Sequence, residues 1–284
     1  MDKTQIKSNF HTHTSYCDGK SSIESNIKQA IALGFQALGF SSHAPVFFEN
    51  PWSISTMDDY MKYIEEVELY KKKYKEKVDV YKALEADYIP GFTHSFDFLR
   101  EKGDLDYIIG GIHLVKNEET EKLWFIDGEL ELFGKGLKKT FNSDIRKGVQ
   151  QYFYQMNAMI ENEKPDVIAH MDKIVMNNKE RFFSSTDKWY RDLAIETLEL
   201  IAEKQVLLEV NTRGFYKKKC KQLFPDLWIL KEAKEKNIPV IISSDAHHIS
   251  ELDKGFDEAL MVLKESAYKE YYVFNKDLWE AQDL

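Results

Sequence analysis

The sequence predicts an α/β fold in which parallel strands alternate with helical crossovers. Three observations carry the prediction. Seven short runs rich in apolar, β-branched or aromatic residues recur along the 284 residues. Amphipathic helical stretches separate most of them, the alternation expected of βαβ units. Each run closes on a side chain of a kind that binds metals or anions. Seven such repeats either close into a barrel or form an open doubly wound sheet, and the pattern alone leaves both available.

In chain order, the first run is "SNFHTH" (8–13). The stretch "SSIESNIKQAIALG" after it reads as a helix. Ser21 with Glu24 fits a capping box, Ile23, Ile27, Ala30 and Ile31 line one face, and Gly34 suits the stop. The second run, "ALGFSSH" (37–43), leads into an aromatic-rich loop, "APVFFENPWSIS" (44–55). Residues 58–77 are helical and highly charged, and the charge run reads as a solvated face. The third and fourth runs are "VDVYKALEADY" (78–88) and "DYIIGGIH" (106–113). Residues 114–150 are too long for a simple βα loop, so an insertion and the start of a long helix are expected there. "DVIAHMD" (166–172), "VLLEVNTR" (206–213) and "PVIISSDAH" (239–247) complete the set. No linker-like, low-complexity or repeated segment interrupts the chain, and a single domain over 1–284 is the simplest reading.

Composition bounds the rest. Hydrophobic residues make up 43% and charged residues 31%, an ordinary globular balance. The net charge of −9 argues against general affinity for nucleic acid or anionic membrane. Two distant thiols, Cys17 and Cys220, make no disulfide framework, and the N-terminus shows no apolar signal region. No run approaches a membrane span. A cytoplasmic protein with no obligatory protein partner is expected.

The polar residues gather at the strand ends: His11 and His13, His43, Glu85 and Asp87, His113, His170 and Asp172, Asn211 and Arg213, Asp245 and His247. Active-site groups collect at the carboxyl ends of parallel strands because the βα loops open there. His11 and His13 are two apart, as are Asp245 and His247, so strand alternation turns each pair the same way. A lone histidine at a strand end is usually a hydrogen-bonded structural residue. Six of the eight histidines in this arrangement are another matter, and only His94 and His248 fall outside it. His11, His13, Asp18, His43, Glu85, His113, His170, Asp245 and His247 are nine candidate ligands. Imidazole and carboxylate suit Zn, Fe or Mn, and nine ligands at about four or five per ion imply two or three divalent ions.

These residues resemble the polymerase-and-histidinol-phosphatase (PHP) superfamily. The resemblance rests on "HTH", "SSH", "LEADY", "GIH", "AHMD" and "SDAH" in this order and covers roughly residues 8 to 255. It implies a distorted (β/α)7 TIM-like barrel around a multinuclear metal centre. Within the superfamily, "HTHTSYCDG", "SSHAP", "ALEADYIPG" and "VNTRG" look like the stand-alone histidinol-phosphate phosphatases. The resemblance assigns His11, His13, Glu85 and Asp245 to a first metal and Glu85, His113 and His170 to a second, with Glu85 bridging. It assigns Asp18, His43 and His247 to a third. Some relatives carry histidine where this chain has Asp18. Asp87 and Asp172 would orient ligands.

The implied reaction is hydrolysis of L-histidinol phosphate in histidine biosynthesis, by attack of a metal-bridging hydroxide on phosphorus. The small phosphorylated substrate needs cationic partners. Of only five arginines, Arg213 lies past the sixth run and Arg181 in the loop after the fifth, so both are expected to clamp phosphate. Asp18 or Asp245 would also move the leaving-group proton. Phe48 or Trp52 in the 44–55 loop would face the substrate's imidazole. A phosphoesterase acting on another small monoester or a nucleotide is the alternative. An amidohydrolase is disfavoured by "SDAH" and by Glu85, where such enzymes often use a modified lysine. A non-catalytic scaffold would have eroded ligands, and none is missing.

Overall fold

Seven parallel strands stand side by side in the computed structural model, which describes residues 6–284. The chain passes through β1 (Ser8–Asn9), β2 (Ala37–His43), β3 (Asp79–Asp87) and β4 (Tyr107–Gly111). An antiparallel hairpin follows, β5 (Leu114–Lys116) with β6 (Leu123–Phe125). The parallel set resumes with β7 (Val167–Ile168), β8 (Leu207–Asn211) and β9 (Val240–Ser243), and the chain ends in a second hairpin, β10 (Glu270–Asn275) with β11 (Leu278–Asp283). The sheet order is β1-β2-β3-β4-β7-β8-β9, with every neighbouring pair parallel.

Past its last ladder residue, the first strand meets the last. Thr12 bridges Ala246 in parallel: His13 N donates to Ala246 O at 2.8 Å and Ala246 N to His11 O at 3.1 Å. The sheet therefore forms a single α/β domain with a nearly closed seven-stranded barrel, and the open-sheet alternative is set aside. Every residue of β2, β4, β8 and β9 is buried. Parallel strands covered on both faces need such continuous apolar runs rather than alternation.

The crossovers follow local sequence. In helix Ile23–Ala32 the N-cap is Ser22, whose side chain accepts from Ser25 N, not the expected Ser21. Ser21 Oγ instead accepts from Ile249 N, and Glu24 pairs with Lys73 at 2.6 Å. Gly34 ends the helix at φ +76, a conformation that favours glycine. Helix Met57–Tyr74 buries Tyr60, Tyr63, Ile64 and Val67 and places Lys71, Lys72 and Lys73 in its last turn, where they offset the helix dipole.

Residues 114–150 carry the β5–β6 hairpin, helix Leu130–Phe141 and the beginning of helix Ile145–Asn162. Trp124 is fully buried among Phe133 and Phe141, and its Nε1 donates to Phe133 O at 2.9 Å. A Cβ on Gly136 or Gly148 would lie 2.6 or 2.8 Å from the Trp124 ring, so glycine permits this close approach. The terminal hairpin, which the sequence reading did not anticipate, stops the opposite end of the barrel. Trp279 packs on Phe10 and Tyr107, and Phe274 on Tyr81.

Candidate metal centre

The register of β2 on β3 sets His43 directly beside Glu85. Glu85 is buried, and its two oxygens divide the surrounding imidazoles. Oε2 lies 3.1 Å from His11 Nε2, 3.3 Å from His13 Nε2 and 3.2 Å from His43 Nδ1. Oε1 lies 2.9 Å from His170 Nε2 and 3.5 Å from His113 Nε2. One carboxylate thus serves two groups of nitrogens, the geometry a bridging ligand requires.

Asp245 Oδ1 completes the first group, 3.2 Å from His13 Nε2 and 3.8 Å from His11 Nε2. A third group forms toward solvent. Asp18 Oδ1 lies 3.2 Å from His247 Nε2, 3.9 Å from His13 Nδ1 and 4.0 Å from His43 Nε2. All nine predicted candidate ligands are therefore brought into one cluster. His11, His13, His113, His170, Asp245 and His247 lie beyond the regular strands rather than on them. His11 and His13 still share a face because Thr12 between them keeps a strand-like bridge. His170 and Asp245 have positive φ, +24 and +50, an unusual backbone for these residue types.

A divalent ion fits this donor set. His11 Nε2 and His13 Nε2 face each other at 3.1 Å, and neutral imidazoles that both offer lone pairs here have no proton to share. Asp245 Oδ1 is buried without a well-formed hydrogen bond. Three groups of His, Asp and Glu atoms lie close enough to hold an ion: His13, Asp18, His43 and His247; His11, His13 and Glu85; His43, Glu85 and His113. The buried carboxylates give the site a field that draws positive charge, a proton or a metal ion alike. Burial would depress His11, but Glu209, Glu85 and Asp245 raise it to about 10. Burial holds His43 down to about 3. Burial opposes ionisation of Glu85 and Asp245, yet the neighbouring histidines, and Arg213 beside Asp245, push both carboxyls well below the usual range. Asp18 is likewise lowered against burial, by its hydrogen bond to His247 and by His43.

Around the cluster, Asp87 Oδ1 accepts from His113 N at 2.9 Å and lies 3.0 Å from its Nδ1. It orients His113 as the sequence reading expects of it. Asp172 does not orient a ligand. Its Oδ2 accepts from Asp226 N at 3.0 Å, and burial raises its pKa to about 8. The sequence reading passed over Glu209. It is fully buried, lies 2.5 Å from His11 Nδ1, and accepts from His170 N at 2.9 Å and Asn211 Nδ2 at 3.0 Å. Ser243 Oγ also donates to it. A glutamate inside the apolar run "VLLEVN" was the available signal, since a buried charge requires partners.

The expected phosphate clamps fare differently. Arg213 lines a small cavity with His170, Asn211 and Asp245, but its Nη1 donates to Asp245 O at 2.8 Å and lies 3.3 Å from Glu251 Oε2. Arg181 does not line that cavity. Its Nε and Nη2 donate to the carbonyls of Asn178 and Asn177, capping the short helix Val175–Asn178. Four carbonyls at a helix end lack partners, and a nearby guanidinium satisfies them. In the 44–55 loop, Trp52 packs edge-on against His43 at 5.3 Å, whereas Phe48 packs on Phe92.

Histidines and carboxylates converging at the carboxyl end of a seven-stranded parallel barrel define a metal-binding TIM-like barrel. A model of the PHP domain matches residues 9–213, and the chain belongs to that family. It is 27% identical over 268 residues to the histidinol-phosphatase of Bacillus subtilis (strain 168), covering 89% of this chain and 98% of that protein. It is 24% identical to the probable histidinol-phosphatase of Deinococcus radiodurans, covering 90% and 92%. The fold matches the crystal structure of the putative histidinol phosphatase HisK from Listeria monocytogenes. The TM-score is 0.78 at 23% identity, over 89% of this chain and 99% of that one. It also matches histidinol phosphate phosphatase from Lactococcus lactis, solved with Zn, L-histidinol and phosphate, with TM-score 0.67 at 18% identity over 98% and 100%. Among the described residues, no helix is long and apolar enough to cross a membrane.

Proposed function

We propose that this chain is a metal-dependent phosphomonoesterase that hydrolyses L-histidinol phosphate to L-histidinol and phosphate. The observation that carries the reading is the cluster of six imidazoles and three carboxylates divided by Glu85, buried except at Asp18 on its solvent side. The names of the relatives, and the ligands of the Lactococcus structure, support the substrate.

Two or three divalent ions (Zn, Fe or Mn) would be held as three groups: His11, His13, Glu85 and Asp245; Glu85, His113 and His170; Asp18, His43 and His247. When bound, such ions acidify water and neutralise phosphoryl charge. The chain's own residues do the remaining work. Glu209 and Asp87 fix the rings of His11 and His113. Asp18 and Asp245 stay anionic, which suits them to hold a cation and to accept a hydrogen bond from water at their carboxylate oxygens. Trp52 forms a wall beside His43, on which an imidazole ring could stack. Hydrolysis breaks the P–O ester bond, adds the oxygen of water to phosphorus, and returns a proton to the leaving alcohol.

A second reading has its own observation. A cavity of about 840 Å³, in whose lining five lysines (Lys179, Lys218, Lys219, Lys221 and Lys254) outnumber the acids Glu180, Asp226 and Glu258, shares Met176 and Lys219 with the small cavity at the cluster. It favours a phosphomonoester, such as a nucleotide, whose leaving group carries further anionic charge. The test is to assay Mn- and Zn-loaded protein on a panel of phosphomonoesters and nucleotides, with metal measured on the same sample. L-Histidinol phosphate is expected to lead by at least about tenfold in kcat/KM, about 1.4 kcal/mol of discrimination. Preference for a nucleotide would overturn the first reading in favour of the second. His13→Ala is expected to lose both metal and turnover, and full activity in that variant would remove the metal assignment.

A further inference from the structure

Arg181 bonds to carbonyls and Arg213 to Asp245 O and Glu251, which leaves a place for a further buried cation at the phosphoryl group beside the metals. Lys173 is such a cation. It follows His170 by three residues and is only 5% exposed. Its Nζ lies 2.9 Å from Asp127 Oδ2 and 3.1 Å from His113 Nε2, and it lines the small cavity that also reaches His170, Asn211 and Asp245.

We propose that Lys173 holds the phosphoryl oxygens of the substrate, and that Asp127, delivered by the insertion at 114–150, positions it. This rests on the phosphoester reading of the site and adds a residue to it. An ammonium has three donors. Asp127 takes one. His113 Nε2 accepts another only while that nitrogen has a free lone pair. With a divalent ion on His113, the ammonium would lose this acceptor, and its remaining donors would be left beside the cavity it lines, next to a second cation. A phosphate dianion answers both needs: it accepts charge-assisted hydrogen bonds and screens the two cations from each other.

The support for Lys173 is built into the fold. Ile126 N donates to His113 O at 3.0 Å, so the turn carrying Asp127 is pinned to the segment that bears a candidate ligand. Asn177 Nδ2 donates to Ile126 O and Gly128 O, both at 2.8 Å, and fixes the same turn from the short helix Val175–Asn178 after β7. An ammonium on a flexible four-carbon stem is a point charge, which a carboxylate at fixed position aims. The insertion, on this account, is part of the site rather than an ornament on the barrel.

The test uses the metal-loaded full chain and inorganic phosphate as probe, titrated calorimetrically, with metal content measured on each sample. Lys173→Met is expected to keep the parental metal-to-protein ratio and to bind phosphate at least about tenfold more weakly. Lys173→Arg keeps the charge and is expected within about threefold of the parent. Asp127→Asn is expected to raise KM for p-nitrophenyl phosphate several-fold more than it lowers kcat, with Asp127→Glu recovering most of the loss. Parental phosphate affinity in Lys173→Met overturns the proposal, as does loss of metal there with unchanged phosphate affinity per loaded site. If Lys173→Met does not fold, Asp127→Asn decides, and parental phosphate binding in it overturns the pairing. These probes carry no histidinol. A phosphate defect without turnover of L-histidinol phosphate would therefore sink the substrate assignment and leave the role of Lys173 standing.

Discussion

Glu85 shows how much one side chain can organise. Its oxygens face opposite ways, toward His11, His13 and His43 on one side and His113 and His170 on the other. That role was legible because Glu85 closes an apolar run, where a charged residue has a reason to be noticed. Glu209 escaped notice because it lies two residues inside its run, before Asn211 and Arg213 drew attention to the end. Only the structure brings His11 Nδ1 and His170 N onto its two oxygens. Glu209→Gln preserves the shape but weakens the hold on the His11 ring, so metal affinity is expected to fall about 10–100-fold. Competition with a metal-chelating dye measures it, and a parental affinity would show that Glu209 serves folding alone. The arginines teach the converse. Scarcity and position pointed to Arg181 as a phosphate clamp, yet local backbone needs claimed it, because free carbonyls at a helix end lie only three and four residues away.

At the level of elements, the sequence located all seven parallel strands but overstated the regular length of some. β1 and β7 are two residues each, whereas the apolar runs span 8–13 and 166–172. The reason is physical. Residues that must aim side chains at a shared centre leave the ladder, as the positive φ of His170 and Asp245 records. Terminal strands β10 and β11 were missed because their contribution is to cover Phe10 and Tyr107, a need visible only once the barrel exists. The 114–150 insertion is held by Trp124, buried against Phe133 and Phe141 with Gly136 and Gly148 giving it room. Trp124→Ala should destabilise the protein by about 3–5 kcal/mol. Urea unfolding measures this, and a change under about 1 kcal/mol would show that the insertion is secured elsewhere.

The whole molecule is acidic overall and concentrates buried carboxylates at one end of the barrel, where Glu85, Glu209, Asp245 and Asp87 meet the imidazoles. Divalent ions that bind this arrangement only when folded stabilise it by mass action, about 2.7 kcal/mol per site at a hundredfold excess over Kd. Chelation is therefore expected to lower Tm by several degrees, with recovery on adding Zn or Mn. Because imidazole must be neutral to ligate, the metal-dependent part of Tm should shrink as pH falls from 7 toward 5. A Tm indifferent to chelator at pH 7 would contradict a metal centre. The sequence by itself determined the strand–helix alternation, the strand-end histidines and the family, because periodicity and ligand chemistry are written residue by residue. Tertiary structure alone decided barrel closure through Thr12 and Ala246, the use of Glu209, and the hydrogen bonds of Arg181 to the Asn177 and Asn178 carbonyls. Those outcomes depend on distances between segments far apart in the chain, and a linear sequence records what each residue can bind without saying which partner will be within reach.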